Sequence, residues 1–274
     1  MSPKQLRPGC FYGNLTSSFK VSEIGLTEII YPPKHKTAEH SHELAYFSLT
    51  LNGNYTKLYG TQRVECVPQT LVFHPPYQKQ SGCCGESGGR AFLIEIQSQL
   101  FEHINRHAVI TDRLTVCRGG SLIRFAMRLY KEFRHMDELS PLTIEGLALE
   151  MLAQASRRRD KDSHLKGQPW LEQAREIIDT SFAEALTIPR LAKLVGIHPV
   201  YLASEFRKAY HTTIGEYTRK LRVDFACREI SGTDTPLVQI ALASGFSSQS
   251  HFCSTFKRMT GMTPAYYRAM LRSP

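Results

Sequence analysis

Hydrophobic positions in the last third of the chain recur at helical spacing, and they do so twice. In residues 236–268, Ile240, Ala241 and Ser244 share one face of a short stretch that Thr235 and Pro236 open as N-cap and first-turn proline. Gly245 follows, a residue that accepts the positive φ of a tight turn. A second stretch begins at about Ser248. It sets Phe252, Phe256 and Met259 at i, i+4, i+7 and leaves Gln249, Ser250, Cys253, Ser254, Lys257 and Arg258 on the polar side. Two short helices across a glycine turn make a helix-turn-helix, whose outer helix can enter a DNA major groove.

The same pattern stands earlier in the chain. Leu191, Ala192 and Gly196 precede Ile240, Ala241 and Gly245 by 49 residues, whereas Leu202, Phe206 and Tyr217 precede Phe252, Phe256 and Tyr267 by 50. The second copy therefore carries one extra residue just after its turn. Between the copies, residues 214–230 place Tyr217, Leu221, Ala226 and Ile230 on one stripe and predict a single connecting helix, about 25 Å long at about 1.5 Å per residue.

The first hundred residues follow a different rule. Short segments of strand character, IIYPP, LAYFSLTLNGNY, KLYG, LVFHPP and AFLIEI, are separated by turn signals. Tyr46, Ser48 and Thr50 alternate with Phe47, Leu49 and Leu51, and Asn52-Gly53 then offers a hairpin turn. Strands at this pitch predict a small β-barrel, with the CCGESGG segment as an exposed loop. From residue 121 the period becomes helical: Leu122, Phe125, Ala126, Leu129, Tyr130, Phe133 and Met136 form one stripe. Ile144, Leu147, Ala148, Met151, Leu152 and Ala155 form another after Ser140-Pro141. An antiparallel helix pair is expected, followed by a polar, aperiodic linker.

Composition adds bounds. A chain of 274 residues with 42% hydrophobic content suits two domains. No basic start followed by an apolar run and no membrane-length apolar stretch is present, so a cytoplasmic, membrane-free protein is expected. Seven scattered cysteines without a CxxC pair suggest neither a disulfide framework nor a zinc knuckle. The charge of +9 divides almost evenly: from Gln168 onward 13 Lys and Arg face 9 Asp and Glu, against 21 and 16 before it. Local placement is more telling, because Arg207, Lys208, Lys257 and Arg258 lie on the outer helices, with Arg219, Lys220 and Arg222 beside them.

Residues from about 170 to 272 resemble the DNA-binding domain of the AraC/XylS family of bacterial transcription regulators. The resemblance is carried, in order, by LRVDFACREI (221–230), IALASGF (240–246), SSQSHF (247–252), TFKR (255–258) and TGMTPAYYR (260–268). It implies a transcription regulator that binds double-stranded DNA, with RNA polymerase as a further partner and a homodimer formed through the helix pair. Members of the family often carry an arginine on each recognition helix where this chain has Ser204 and Ser254, so base contacts are assigned from the residues present. These are Val200, Ala203 and Ser204 on the first helix and Gln249, Ser250, Cys253 and Ser254 on the second, with Arg207, Lys208, Lys257 and Arg258 on phosphates. Glutamine can pair bidentately with adenine, serine reaches either base edge, and Val or Ala can touch a thymine methyl.

HSHE (40–43), Gly53 and VFHPP (72–76) are similar to the cupin-like sensor domains that many such regulators carry. This implies an effector pocket near His40, His42, Tyr46 and His74 and a small-molecule effector as partner. His40 and His42 alternate along a strand and could share an ion with His74, but Glu43 points to the opposite face and Gln80 stands where such motifs often end in histidine. No metal, cofactor or catalytic residue is therefore assigned. The competing reading is a metal-dependent cupin enzyme with a DNA-targeting tail. The expected fold is α+β: a cupin-like β-barrel over residues 1–118, a helical hairpin over 119–157, a linker over 158–169, and an all-α double helix-turn-helix domain over 170–274.

Overall fold

The computed structural model describes residues 4–107, 114–118, 120–164 and 169–272, and the chain divides into two compact units, Met1–Ser156 and Arg157–Pro274. The first unit holds β1 (Lys4–Leu6), β2 (Asn14–Val21), β3 (Ile24–Tyr31), β4 (Lys36–His42), β5 (Ala45–Tyr59), β6 (Gln62–Cys66), β7 (Leu71–His74), β8 (Gln80–Ile96), α1 (Ser98–His107), β9 (Thr115–Cys117), α2 (Ser121–Arg134) and the greater part of α3 (Ser140–His164), up to Ser156. The strands form one sheet along the path β1-β4-β8-β5-β7-β9, with β3 also on β8, β2 on β3 and β6 on β5. All these pairs are antiparallel except β1 on β4. The path has two ends. Among the described residues, hydrogen bonding therefore does not close the sheet into the expected barrel.

Two local expectations are corrected, both for the same reason. Asn52-Gly53 is not a hairpin turn: β5 continues through it to Tyr59, with register shifts on β8 either side of Asn52-Gly53. Gly53 takes φ 70°, and a Cβ there would lie 2.1 Å from the Gly88 carbonyl oxygen. The glycine thus serves a bulge at a close crossing of two backbones, and the turn comes later, at Gly60. The CCGESGG segment is likewise no loop but the first part of β8, paired with both β4 and β5. A Cβ on Gly82 would meet the Thr56 carbonyl oxygen at 2.6 Å, so glycines there admit neighbouring strands.

Helix α2 buries Leu122, Ala126, Leu129, Tyr130 and Phe133, and α3 buries Ile144, Leu147, Ala148, Met151 and Leu152, as their stripes predict; Met136 is exposed instead. The Phe92 ring of β8 meets Tyr130 at 5.2 Å and Phe133 at 5.4 Å. Beneath this contact lies Glu28 of β3, 1% exposed. Its carboxylate accepts from Tyr130 Oη at 3.0 Å and Arg134 Nη1 at 3.1 Å and stands 3.4 Å from Arg90 Nε. A carboxylate taken from water is stable only with such partners, so this cluster fixes α2 on the sheet. The segment expected as a linker is helical as far as His164, since residues 157–163 contain no Pro or Gly and include good helix formers. Residues 165–168 lie outside the described residues.

The second unit is all helical: α4 (Pro169–Ser181), α5 (Ile188–Leu194), α6 (Pro199–Tyr210), α7 (Ile214–Gly232), α8 (Leu237–Ala243), α9 (Gln249–Thr260) and α10 (Pro264–Arg272). Helices α5–α6 and α8–α9 are the two helix-turn-helix pairs, and α7 joins them as one helix. The first core gathers Leu171, Ile178, Leu191, Leu202, Phe206 and Ile214. In the second copy Ile240, Phe252, Phe256 and Tyr267 are buried, the last two with rings 5.4 Å apart. Caps set the boundaries. Thr187 accepts from Arg190 N–H, Ser248 from His251 N–H, and Thr213 with Glu216 forms a capping box at the start of α7. Pro236, expected inside α8, is its N-cap and makes no side-chain cap bond.

Arg222 of α7, one of the cations placed beside the outer helices, is engaged by backbone carbonyls. Its Nε donates to the Phe182 carbonyl at 2.8 Å, Nη1 to Gly245 at 2.6 Å and Nη2 to Glu184 at 3.0 Å. One guanidinium thus ties the α4–α5 loop to the turn of the second helix-turn-helix. The two turn glycines differ accordingly. Both have positive φ, 70° at Gly196 and 80° at Gly245, but a Cβ on Gly196 meets nothing within 4 Å whereas one on Gly245 would lie 2.3 Å from the Ala183 carbonyl oxygen. Gly196→Ala should cost about 1–2 kcal/mol from backbone conformation alone. Gly245→Ala should cost about 1–3 kcal/mol more for displacing backbone. Chemical denaturation of the full-length variants, followed by helical circular dichroism, measures both; equal destabilisation by the two substitutions would contradict the closeness of the second turn.

Candidate nucleic-acid interface and sensor chamber

Helix α6 buries Leu202 and Phe206 and turns Val200, 72% exposed, outward with Ser204, Arg207 and Lys208, while Ala203 is half-buried. Helix α9 buries Phe252, Thr255 and Phe256 and exposes Gln249, Ser250, Ser254, Lys257 and Arg258; Cys253 is half-buried, as is Met259, which was expected in the core. Each outer helix thus carries short polar or apolar side chains along its length and two cations in its last turn, where they also suit the helix dipole. Two of the side chains are already engaged. Lys208 Nζ lies 2.7 Å from Glu205 Oε1, and Ser254 Oγ donates to the His251 carbonyl at 3.1 Å. Two exposed residues are not singled out by periodicity: Tyr201, whose ring lies 5.8 Å from Trp170, and His251 in the first turn of α9. An aromatic or imidazole at the start of a recognition helix was the available signal.

In the first unit His40, His42, Tyr46 and His74 do come together. The His40 and His42 rings are 5.1 Å apart, His42 and Tyr46 are 4.8 Å apart, and Tyr46 stacks on His74 at 4.1 Å. What the sequence did not suggest is Lys57. The bulge in β5 returns Tyr55, Lys57 and Tyr59 to this face, and Lys57 Nζ lies 3.0 Å from both Ser48 Oγ and His74 Nε2. Gln80 donates to the Tyr46 hydroxyl, and Phe11 and Tyr12 lie over His42 and His40. Burial disfavours charge throughout. It pushes His42 down to about 3, with His40 and Lys57 adding to the effect, lowers His40, drives His74 well below the usual histidine range, and brings Lys57 down to about 8.

A metal does not fit this set. Tyr46 stands between His42 and His74, His40 Nδ1 is taken by the Ala38 carbonyl at 2.8 Å, and both His74 nitrogens have protein partners. Glu43 lies elsewhere, on the wall of a separate cavity of about 600 Å³ with Tyr77, Phe101 and Glu102. Among the described residues no three His, Cys, Asp or Glu side chains group so as to hold a metal ion.

The histidines make the first unit sensitive to acid. Because His42 titrates near 3 in the folded chain and near 6.5 when unfolded, the unfolded state takes up protons first as pH falls, and stability drains away between those values. His42→Gln should reduce that decline by about 1.4 kcal/mol per pH unit in the window. Urea denaturation at pH 7, 5.5 and 4 tests it, and parallel pH profiles for wild type and variant would contradict it.

Comparison with known proteins bears on the C-terminal unit. Residues 191–270 match a family described as a helix-turn-helix domain. An uncharacterized HTH-type transcriptional regulator of Staphylococcus aureus is 27% identical over 163 residues, 58% of this chain and 22% of its own length. The bifunctional transcriptional activator/DNA repair enzyme AdaA of Bacillus subtilis is 30% identical over 114 residues, 42% of this chain and 54% of its own. The chain therefore spans between about a fifth and about half of these relatives. A crystal structure of a transcriptional regulator with an AraC-type DNA-binding domain from Chromobacterium violaceum is 33% identical, covers 39% of this chain and 96% of its own, and has a TM-score of 0.37. Residues 191–270, which span both helix pairs, are therefore a helix-turn-helix domain, similar in sequence to those of HTH-type transcriptional regulators.

Proposed function

We propose that the protein is a sequence-specific DNA-binding transcription regulator. In this reading residues 170–274 read the operator, and residues 1–118 are a cupin-like sensor whose histidine chamber takes a small-molecule effector. The observation that carries it is the paired geometry of α6 and α9: two outer helices with buried aromatic backs and exposed polar fronts, held by the single helix α7. With 19 residues, α7 is about 28 Å long, near the roughly 34 Å between successive major-groove segments on one side of the duplex. Val200, Ala203, Ser204, Gln249, Ser250, Cys253 and Ser254 then face bases, while Arg207, Lys208, Lys257 and Arg258 meet phosphates. Such a regulator works in the cytoplasm, beside RNA polymerase, without catalysis of its own. No helix among the described residues is long and apolar enough to cross a membrane. The reading as a metal-dependent enzyme is disfavoured by the poor fit of the histidine set to a metal.

Arg207→Ala and Lys257→Ala should weaken binding to all DNA sequences and reduce the slope of log affinity against log salt by about one for each phosphate no longer neutralised. Gln249→Ala should cost about 1–3 kcal/mol at the preferred site with little change on random DNA. Fluorescence anisotropy at several salt concentrations separates these roles, after selection of the preferred site from genomic fragments. An unchanged salt slope removes the phosphate assignment, and a uniform weakening in the glutamine variant makes it a backbone contact.

A homodimer through the helix pair completes the proposal, on the exposed face of α3 rather than the stripe of α2. Leu122, Leu129 and Phe133 are buried within the first unit and so leave little for a partner. Instead α3 exposes Leu142, at 72%, and Leu149, at 45%, with Gly146 and Ala153 on the same face. Steps of four, three and four residues make a narrow apolar seam of the kind a second helix can meet. Replacing Leu142 and Leu149 with glutamate should give a folded monomer by sedimentation velocity. A wild-type chain that stays monomeric at micromolar concentration, with and without operator, rules the dimer out.

A further inference from the structure

The chamber around Lys57 is built from donors and contains no acid. Twelve residues line it, among them His40, His42, Tyr55, Lys57 and Gln80, and none is Asp or Glu. Lys57 has three N–H groups. Two reach Ser48 Oγ and His74 Nε2, and no carboxylate lies within ion-pair distance among the described residues. Because His74 Nε2 accepts from the ammonium, its proton sits on Nδ1, toward the Tyr59 hydroxyl at 3.4 Å. The third N–H of Lys57 is thereby left to the chamber. A second observation is independent of the lysine: His42 is 4% exposed, yet its Nδ1 is buried without a hydrogen-bond partner. Native proteins rarely leave such atoms unpaired, and a partly buried ammonium without an anion is equally exceptional.

We propose that this chamber binds a small monocarboxylate, one oxygen accepting from Lys57 Nζ and the other from His42 in its Nδ1–H tautomer. The space there, about 20 Å³, excludes drug-sized ligands and limits an anion to the smallest carboxylates. One lysine among neutral histidines matches one negative charge; a neutral isostere would leave the ammonium unpaired, and a dianion would bring a second charge without a partner. Phe11 and Tyr46, with rings 5.6 Å apart, offer apolar surface to a methyl group. This assignment deepens the reading of the chamber as the effector site and rests on it.

The test is calorimetric titration of the full-length protein with sodium acetate and, separately, with acetamide, in a chloride-free buffer at pH 7. Acetate should saturate at one per chain while acetamide does not bind, and Lys57→Met should lower acetate affinity at least tenfold. His42→Gln should lower it several-fold and serves as the independent variant if Lys57→Met does not fold. Acetamide binding as tightly as acetate, or acetate binding unchanged in folded Lys57→Met or in His42→Gln, overturns the carboxylate assignment and leaves the chamber an effector site of another class. Saturation by neither ligand overturns the assignment and removes the support it lends to the effector reading; DNA binding, measured separately by anisotropy, is unaffected by that result.

Discussion

The guanidinium of Arg222 holds together what two separate hydrophobic cores cannot. Each helix-turn-helix closes its own apolar cluster, but an apolar cluster is indifferent to how its neighbour is oriented. Three carbonyl oxygens, two from the α4–α5 loop and one from the turn of the second helix-turn-helix, converge on this planar fork, and a rigid fork accepts only one arrangement of its acceptors. Gly245 enforces the same arrangement from the other side, since the Ala183 carbonyl occupies the space where any side chain would stand. Direction comes from hydrogen bonds and contact from hydrophobic burial.

The first unit handles two charges drawn away from water in opposite ways, Glu28 buried and Lys57 half-buried. Glu28 lies under α2 and is surrounded by Tyr130, Arg134 and Arg90, so its burial is compensated and it serves as an anchor. Burial and this carboxylate together push the Tyr130 hydroxyl up to about 12, which keeps it a neutral donor. Lys57 lies on the other face of the same sheet with only neutral acceptors. A charge whose partners are complete stabilises a fold, and one whose partners are incomplete marks a place for something else.

The backbone that separates these faces depends on glycines at crossings. Gly53 against Gly88 and Gly82 against Thr56 let β5 and β8, at 15 and 17 residues, run past one another at distances no side chain would allow. Without the bulge at Gly53, Lys57 would keep the alternation of Phe47 and Leu49 and point into the apolar layer beneath α2. The chamber is thus a consequence of backbone sterics before it is one of side-chain chemistry.

Much of the second unit was legible in the sequence because its information is local. The turn glycines and the i, i+4 aromatics concern neighbours within about ten residues, and they placed α6, α7 and α9 and the buried Leu202, Phe206, Phe252 and Phe256, though Ala203, Cys253 and Met259 are half-buried. The fate of Arg222 was not legible, because its acceptors are backbone carbonyls about 23 to 40 residues away and no residue type announces a carbonyl. In the first unit the sequence determined strand character, the two helical stripes and the grouping of His40, His42, Tyr46 and His74. It misled at Asn52-Gly53 and the CCGESGG segment, since glycine in a tight turn and glycine at a crossing look the same along a chain. Tertiary structure alone decided that hydrogen bonding does not close the sheet among the described residues, that Leu129 and Phe133 are core, and that Lys57 joins the histidines. Each of these turns on which surfaces meet across long stretches of sequence, and periodicity records only which face a residue is on.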